Sequence, residues 1–166
     1  MPIYTSPGPL PTEFYDDSPY SPEAVLLEEI VSADPEGRAL WCRMPTDRGN
    51  IPWVAQQRNP RGDHPPHLPG GVLIHLTSML GLLYSWCLEG IRFSEGWVGY
   101  GARIYNAEVR SLARIGPPLD LRIRVIRRRS TNTTLILRMS FEFTQEDRLV
   151  YRSEQAGAFR CHPGRD

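Results

Sequence analysis

Alternation of apolar and polar side chains marks the second half of the chain. Four segments show this pattern, and they span residues 102–112, 119–125, 135–143 and 149–159. A side-chain period of two is that of a β-strand, because successive side chains point to opposite faces of a sheet. Turn-forming residues at 115–118 and 146–148 separate neighbouring segments. The pattern therefore predicts an antiparallel sheet with one face on the core.

Residues 72–88 form the most apolar run, and here the period is helical. Two stripes of positions recur every three or four residues: Leu73, Leu76, Leu80, Leu83 and Cys87 in one, and Val72, His75, Met79, Leu82 and Trp86 in the other. A helix that is apolar on two sides is buried on two sides, which predicts a long central helix wrapped by the sheet and closed by Glu89-Gly90. The run is at the short limit for a bilayer span and includes polar side chains, so we expect no membrane segment.

The region before this helix has the pattern of a strand pair. Residues 24–32 and 38–44 are strand-like, and the turn signal Asp34-Pro35-Glu36-Gly37 lies between them. The sequence near Pro22 is compatible with a short helix, and residues 46–62 are predicted to be a connecting loop. Residues 23–161 are therefore predicted to form a single α+β domain.

The N-terminal 22 residues are rich in proline, which stands at positions 2, 7, 9, 11, 19 and 22. Repeated proline disfavours regular helix and strand pairing, so residues 1–22 are predicted to be an irregular arm. The arm is either a disordered leader or a strap that packs Phe14, Tyr15 and Tyr20 onto the body or onto a dimer partner. Residues 162–166 are predicted to be a short tail.

Composition narrows the classes of function. The chain has 166 residues, enough for one domain with a sizeable core, and its 19 basic residues balance 19 acidic ones, which gives no reason to expect nucleic acid as a partner. Every basic residue is Arg, which excludes Schiff-base and P-loop chemistry, since both need a lysine amine. Cys42, Cys87 and Cys161 fit neither a disulfide framework nor a zinc site. We therefore expect a reducing, cytoplasmic location, and the N-terminal residues lack the pattern of a signal peptide.

The stretch 63–71 carries the candidate chemistry. His64 and His67 stand among three prolines, Gly70-Gly71 stand where the helix begins, and His75 follows on the helix. Imidazole can transfer a proton near neutral pH, and the free N–H groups of a helix N-terminus can polarise a carbonyl. Taken alone, His75 also fits a hydrogen-bonded core histidine. No carboxylate or Cys ligand clearly accompanies the three histidines, so we expect neither a metal nor a cofactor.

Four segments carry a family resemblance, at residues 26–37, 68–73, 101–109 and 152–159. They resemble the first strand and turn, the helix entry, the strand after the helix and the closing strand of the β-hydroxyacyl-acyl-carrier-protein dehydratases. The resemblance covers about residues 25–160. It implies the hotdog fold of that family, in which a curved antiparallel sheet wraps a long central helix.

The resemblance also implies site residues. In that family a loop His acts on the substrate α-carbon, and an Asp or Glu handles the hydroxyl from the helix of the partner subunit, six residues after the Pro of a Pro-Gly pair. His64 best matches the loop His, with His67 as the alternative, and six residues after Pro69 stands His75. The butyrolactone-synthesis hotdog proteins have a similar loop, and there too a Glu stands where this chain has His75. The resemblance therefore implies His64 as the base and His75 as the acid or orienting group.

The activity that the resemblance implies is that of a 3-hydroxyacyl-thioester dehydratase or isomerase of fatty-acid or polyketide biosynthesis. Its partner would be an acyl-carrier protein or coenzyme A. A hotdog thioesterase and a non-catalytic acyl-binding subunit are the alternatives. Gly70 and Gly71 would hold the thioester carbonyl, and a tunnel with Met79, Leu82 and Trp86 would hold the acyl chain. We expect a homodimer, because a sheet wrapped around one helix leaves an open edge strand.

A run of three arginines, Arg127, Arg128 and Arg129, follows the segment 119–125. It is either a solvated end of a strand or a docking patch for an acidic carrier protein and its phosphopantetheine phosphate.

Overall fold

The computed structural model describes residues 6–162, and these form one seven-stranded sheet with a long helix against it. In chain order the elements are β1 (Gly8–Pro9), α1 (Thr12–Asp17), β2 (Glu29–Asp34), β3 (Ala39–Met44), α2 (Gly70–Leu88), β4 (Trp97–Val109), β5 (Leu119–Ser130), β6 (Thr134–Gln145) and β7 (Arg148–Cys161), with 3₁₀ turns at Pro22–Ala24 and Phe93–Glu95. The sheet order is β1-β2-β3-β5-β6-β7-β4, and every neighbouring pair is antiparallel. The predicted α+β class and the predicted central helix are confirmed.

The alternation in β5 and β6 divides the sheet into a buried inner face and a polar outer face. Every second residue of these strands is buried: Leu119, Leu121, Ile123 and Val125 in β5, and Leu135, Leu137, Met139, Phe141 and Phe143 in β6. A tight turn joins β6 to β7, and its residues Glu146 and Asp147 have φ values of 51° and 59°. Two residues of positive φ match the right-handed twist of a hairpin, which explains the turn predicted there.

Helix α2 is the core element, and most of its side chains are buried against the inner face. It begins at Gly70, within the Gly70-Gly71 pair where the start was predicted, and Glu89 follows its last turn with its N–H bonded to the Ser85 carbonyl. By length and composition alone α2 could cross a membrane, with a mean hydropathy of 1.5, but 72% of that window is buried inside the domain. Most of its apolar surface is therefore buried by packing within the domain.

The N-terminal arm is more ordered than the prediction of an irregular segment allowed. β1 pairs with β2 through Gly8 and Ile30, and α1 places Phe14 in the core at 2% exposure. Pro9 lies within β1 and Pro11 directly precedes α1, so the repeated proline did not prevent regular structure. Of the two alternatives for the arm, packing onto the body describes the part from residue 6 onward. Residues 1–5 of the arm and 163–166 of the predicted tail lie outside the described residues.

One edge of the sheet is open. Strand β4 pairs with β7 along one side, and it begins at Trp97 rather than near residue 102 as predicted. Its large apolar side chains are half exposed, at 52% for Val98, 45% for Tyr100, 50% for Ile104 and 56% for Val109. A long apolar edge of this kind is a template for pairing with another strand.

Candidate functional site

The two loop histidines share one surface cavity near the start of α2. The cavity has a volume of about 330 Å³, and its lining consists of Trp53, Gln57, Arg58, Asn59, His64, Pro66, His67 and Pro69. The rings of His64 and His67 meet edge to face, with centroids 4.7 Å apart. The structure therefore brings these two predicted site residues together, in surroundings that water reaches.

Gln57 fixes the backbone of the histidine loop. Its Oε1 accepts the His67 N–H at 3.0 Å, and its Nε2 donates to the His67 carbonyl oxygen at 2.6 Å. Asn59 Oδ1 accepts the His64 N–H at 3.1 Å. Sequence reasoning treated residues 46–62 only as a connection and missed both amides. Carboxamide side chains near a proline-stiffened loop carry no signal of their contacts in the sequence.

The imidazole of His67 has a defined hydrogen bond. Its Nδ1 lies 3.1 Å from the Pro65 carbonyl oxygen, which can only accept, so Nδ1 carries the proton. In the neutral ring this leaves Nε2 with a free lone pair, which is the form required of a general base. This arrangement favours His67, the alternative of the sequence analysis, over His64 as the proton acceptor.

Helix α2 has one open side, and it lies in its first half. Gly71, Ile74 and Ser78 are exposed, and His75 is half buried among them. These positions follow one another at intervals of three or four residues, so they form a single stripe. At a rise of 1.5 Å per residue, the stripe extends about 10 Å from Gly71 to Ser78. His75 therefore stands on an open helix face and is not a core histidine.

The stripe begins beside the histidine cavity. A Cβ on Gly71 would lie 3.5 Å from Trp53 Cζ3, and Trp53 and Pro69 both line that cavity. The first N–H groups of a helix have no intrahelical acceptor, and Gly70 and Gly71 leave the space in front of them free of side chains. A carbonyl oxygen could bind there.

The stripe ends at a small inner cavity of about 100 Å³ between α2 and strands β4, β6 and β7. Its lining includes Tyr20, Thr77, Ser78, Leu82, Met139, Gln155 and Phe159, with glycines at 81, 99, 101 and 157. Leu82 lines it as predicted. Met79 does not, because it points into the core at 2% exposure, and Met139 from β6 takes the expected place. Trp86 packs on the opposite side, against Phe14 at a centroid distance of 5.8 Å.

Two glycines of the lining allow neighbouring side chains to pack directly against the backbone. A Cβ on Gly99 would lie 2.6 Å from Phe159 Cε1, and one on Gly157 would lie 3.1 Å from Met139 Cε. The polar groups of the lining are uncharged. Thr77 Oγ1 lies 2.6 Å from the Ile74 carbonyl and 3.1 Å from Gln155 Oε1, and Gln155 Nε2 donates to Ser153 Oγ at 3.1 Å. The cavity suits a short apolar group that carries a hydrogen-bonding end.

Tyr20 connects His75 to the inner cavity. Its ring meets the His75 imidazole edge to face, with centroids 5.9 Å apart, and it also lines the cavity. His75 lies on α2 and contacts Tyr20, whereas His64 and His67 lie on the loop before α2 and contact each other. Within residues 6–162, no three His, Cys, Asp or Glu side chains come close enough together to hold a metal ion.

The three arginines at 127–129 do not form one patch, because successive side chains of a strand point to opposite faces. A bulge between Val125 and Arg127 shifts the register and thereby decides which face each arginine takes. Arg128 shares a face with buried Leu137 and donates to Glu89 Oε2 at 2.7 Å. Arg127 and Arg129 lie on the outer face, where they line a cavity of about 150 Å³ together with Arg138. The outer cluster is therefore Arg127, Arg129 and Arg138 rather than the predicted triplet.

Two of the three cysteines are unsuited to act as nucleophiles. Burial raises the pKa of the Cys42 thiol well above its usual value, with a further contribution from nearby Cys87. Burial also raises the pKa of Cys87 to about 12. Thiolate nucleophiles need a lowered pKa, so neither residue carries the chemistry of this chain.

Solved structures with a similar fold include both hydrolases and a dehydratase. The dehydratase heterocomplex ApeI:P from Xenorhabdus doucetiae aligns with a TM-score of 0.64 at 16% identity, over 94% of this chain and 93% of that one. A thioesterase from Pseudomonas aeruginosa aligns with a TM-score of 0.57 at 19% identity, over 86% and 87% of the two chains. A thioesterase from Haemophilus influenzae aligns with a TM-score of 0.53 at 22% identity, over 86% and 85%. No protein-family model and no curated protein matches the sequence.

These similarities establish the fold. The chain has the hotdog fold, with an antiparallel seven-stranded sheet around one long central helix. At this level of identity the similarities establish the fold and not the reaction. The reaction has to be inferred from the residues of the site.

Proposed function

We propose that this protein is an enzyme that processes acyl thioesters, and that it dehydrates a 3-hydroxyacyl thioester. The observation that supports this most is the open stripe of α2. It starts at helix N–H groups beside two imidazoles, passes a third imidazole, and ends at an apolar cavity. An extended thioester needs these features in this order: a carbonyl site, proton-transfer groups and space for the chain.

The proposed dehydration assigns one proton transfer to each imidazole. His67 Nε2 removes the proton from the substrate α-carbon, and His75, as imidazolium, donates a proton to the β-hydroxyl, which leaves as water. The products are the enoyl thioester and water, and one proton passes from substrate to His67 while one passes from His75 to the leaving group. The N–H groups of Gly70 and Gly71 stabilise negative charge on the thioester oxygen. His64 supports the ring of His67 through their edge-to-face contact.

A homodimer is part of the proposal. The open edge of β4 and its half-exposed apolar side chains would be covered by a second copy pairing antiparallel across a two-fold axis. Such pairing would also bring a second surface close to the open side of α2. A histidine loop from the partner subunit would then be available to the stripe that holds His75.

The outer arginine cluster fits an acidic acyl-carrier protein. Arg138 pairs with Glu154, while within residues 6–162 neither Arg127 nor Arg129 has a carboxylate within salt-bridge distance. This local excess of positive charge stands on a chain of zero formal net charge. We propose that it steers a carrier-bound substrate and contributes less to coenzyme A thioesters.

Hydrolysis of the thioester is the second candidate, and one observation favours it. Thr77, Ser78 and Gln155 place uncharged hydrogen-bonding groups in the lining of the inner cavity, at the end of the stripe that holds His75, and these groups could hold a water molecule. His75 would act as the base for that water, and the products would be a carboxylic acid and a free thiol.

The test is turnover of a panel of 3-hydroxyacyl and saturated acyl thioesters, with enoyl absorbance and free thiol followed together. Enoyl formation without thiol release supports the dehydratase, and the reverse result supports the thioesterase. If neither product forms while acyl thioesters still bind, the protein is a binding subunit. Absence of both turnover and binding would reject the acyl-thioester proposal.

A further inference from the structure

Tyr20 belongs to the N-terminal strap, which we define as residues 8–20, and not to the sheet or to α2. It is nevertheless part of the lining of the inner cavity, together with Thr77 and Ser78 of α2. The side chain is 39% exposed, so one side of the ring faces solvent while the other faces the cavity. Tyr20 therefore forms a part of the cavity wall that also borders on solvent.

Two anchors hold the strap in place before the chain reaches Tyr20. Phe14 is buried at 2% exposure and meets Trp86 edge to face. The Asp17 carboxylate accepts hydrogen bonds from Trp86 Nε1 at 3.1 Å, from the Phe93 N–H at 2.9 Å and from the Ser94 N–H at 2.8 Å. A carboxylate with three donors is a strong local attachment, because each hydrogen bond involves a charged acceptor.

The strap places Tyr20 between the proposed acid and the proposed acyl site. Its ring packs against His75 with an interplanar angle of 77°, an arrangement in which a ring edge meets a ring face. The same ring forms part of the wall of a cavity of only about 100 Å³. A smaller or displaced ring at this position would leave more room for an acyl group.

We infer that Tyr20 is a specificity-determining residue that limits the length of the acyl group, and that the strap exists in part to position it. This inference rests on the proposed acyl-thioester function. The aromatic ring is the wall, so the phenol oxygen is dispensable for the limit on length. Displacing the strap should have the same effect on specificity as removing the ring.

The experiment measures kcat/KM for thioesters from 3-hydroxybutyryl to 3-hydroxylauroyl with wild type, Tyr20→Phe, Tyr20→Ala and Asp17→Asn. Asp16→Asn is the matched control for the last variant, since Asp16 is an exposed neighbour on the same strap. Tyr20→Phe should keep the wild-type preference. Tyr20→Ala should shift the ratio of long-chain to short-chain kcat/KM by about tenfold or more, which is the scale of one or two methylene groups in an apolar pocket. Asp17→Asn should shift it in the same direction, and Asp16→Asn should not.

The outcomes separate this inference from the proposed function. If wild type turns over or binds acyl thioesters and Tyr20→Ala leaves the chain-length profile unchanged, the role of Tyr20 is wrong and the proposed function stands. If wild type neither turns over any thioester nor binds one in calorimetry, the proposed function itself is wrong. An equal loss of kcat/KM at all lengths in Tyr20→Ala, with an unchanged melting temperature, would also overturn the inference, because it would make Tyr20 a positioning residue for His75.

Discussion

The two halves of α2 are both mostly apolar, but their surroundings differ. The half from Met79 to Leu88 is enclosed by the sheet on one side and by the strap with Phe14 and Asp17 on the other. The half from Gly70 to Ser78 keeps an open stripe with Ile74 and His75 on it. A hydrophobic helix thus serves as core over one half and as a site over the other. The two halves differ in which segments pack against them. The segments that enclose the second half, such as the strap, are far from it in sequence.

The largest effect should come from the imidazoles of the open half. His67→Ala and His75→Ala should each lower turnover by about 10²–10⁴-fold, the usual contribution of a general acid or base. Both variants should melt near the wild-type temperature, because neither side chain lies in the core. Steady-state kinetics and thermal denaturation measure the two quantities, and His162→Ala is the control. Full activity in both variants would contradict the catalytic role of the two histidines, and His64→Ala should have the smaller effect of a supporting ring.

The closed half should respond in stability instead. Leu83 has 0% exposure, so Leu83→Ala should lower the free energy of unfolding by about 2–5 kcal/mol. Ile74 in the open half is 41% exposed, and Ile74→Ala should change it by no more than about 0.5 kcal/mol. Urea denaturation of both variants gives the comparison. Equal losses would mean that the open stripe is covered in solution, as a dimer interface over Ile74 would require.

The open edge of β4 offers a direct test of that cover. Ile104→Asp should break the proposed dimer, because it places a charge on a strand edge that would be buried between two copies. Ile126→Asp is the matched control, since Ile126 is 52% exposed on an inner strand of the sheet and Ile104 is 50% exposed. Sedimentation velocity at micromolar concentration should show a dimer for wild type and the control and a monomer for Ile104→Asp. A monomeric wild type would contradict the dimer.

The strap should contribute to stability in a pH-dependent way. Burial raises the pKa of Asp17, but hydrogen bonds from Ser94, Phe93 and Trp86 outweigh it and leave the pKa below its ordinary value of 3.8. A carboxyl group whose pKa is lowered in the folded protein stabilises the fold at pH values above its ordinary pKa. This stabilisation is lost as the pH falls through the lowered pKa. Melting temperatures between pH 7 and pH 2 should therefore fall more steeply for wild type than for Asp17→Asn. Parallel curves would show that the carboxylate charge is not what anchors the strap.

The smallest effect concerns the outer arginines. Arg127→Glu with Arg129→Glu should weaken kcat/KM for carrier-bound substrates and spare coenzyme A thioesters, and added salt should reduce the difference. Arg128→Glu is the control on the opposite face, where the native arginine pairs with Glu89. An equal loss on both kinds of substrate would mean that the two arginines are structural.

The sequence predicted those parts of the molecule that are governed by local periodicity. β5, β6 and α2 were found because one buried face leaves a repeat in the chain. The start of β4 was missed, because Gly99 and Gly101 interrupt the alternation and most of the strand is exposed on both faces. The order in the strap was missed because Asp17 is held by donors near residues 86–94, and nothing local indicates such a contact.

The site shows the same division. Sequence placed His64, His67 and the helix start close together, since they are neighbours along a stiff loop. It named Met79 for the inner cavity where the structure has Met139, because both are apolar positions on buried elements and the sequence does not show which one borders the cavity. It also could not pair Tyr20 with His75, a contact between two segments that the fold alone brings together.

Because the strap is anchored to Trp86, the fluorescence of this residue can report whether the strap is docked. The indole of Trp86 has the Asp17 carboxylate at its N–H and the Arg92 guanidinium 4.0 Å from its ring centroid. Charges placed on opposite parts of an indole shift its emission, so undocking of the strap should change both the wavelength and the intensity of fluorescence. With Trp41, Trp53 and Trp97 replaced by Phe, the remaining emission would follow strap opening in real time, during mixing with a thioester and without any attached dye.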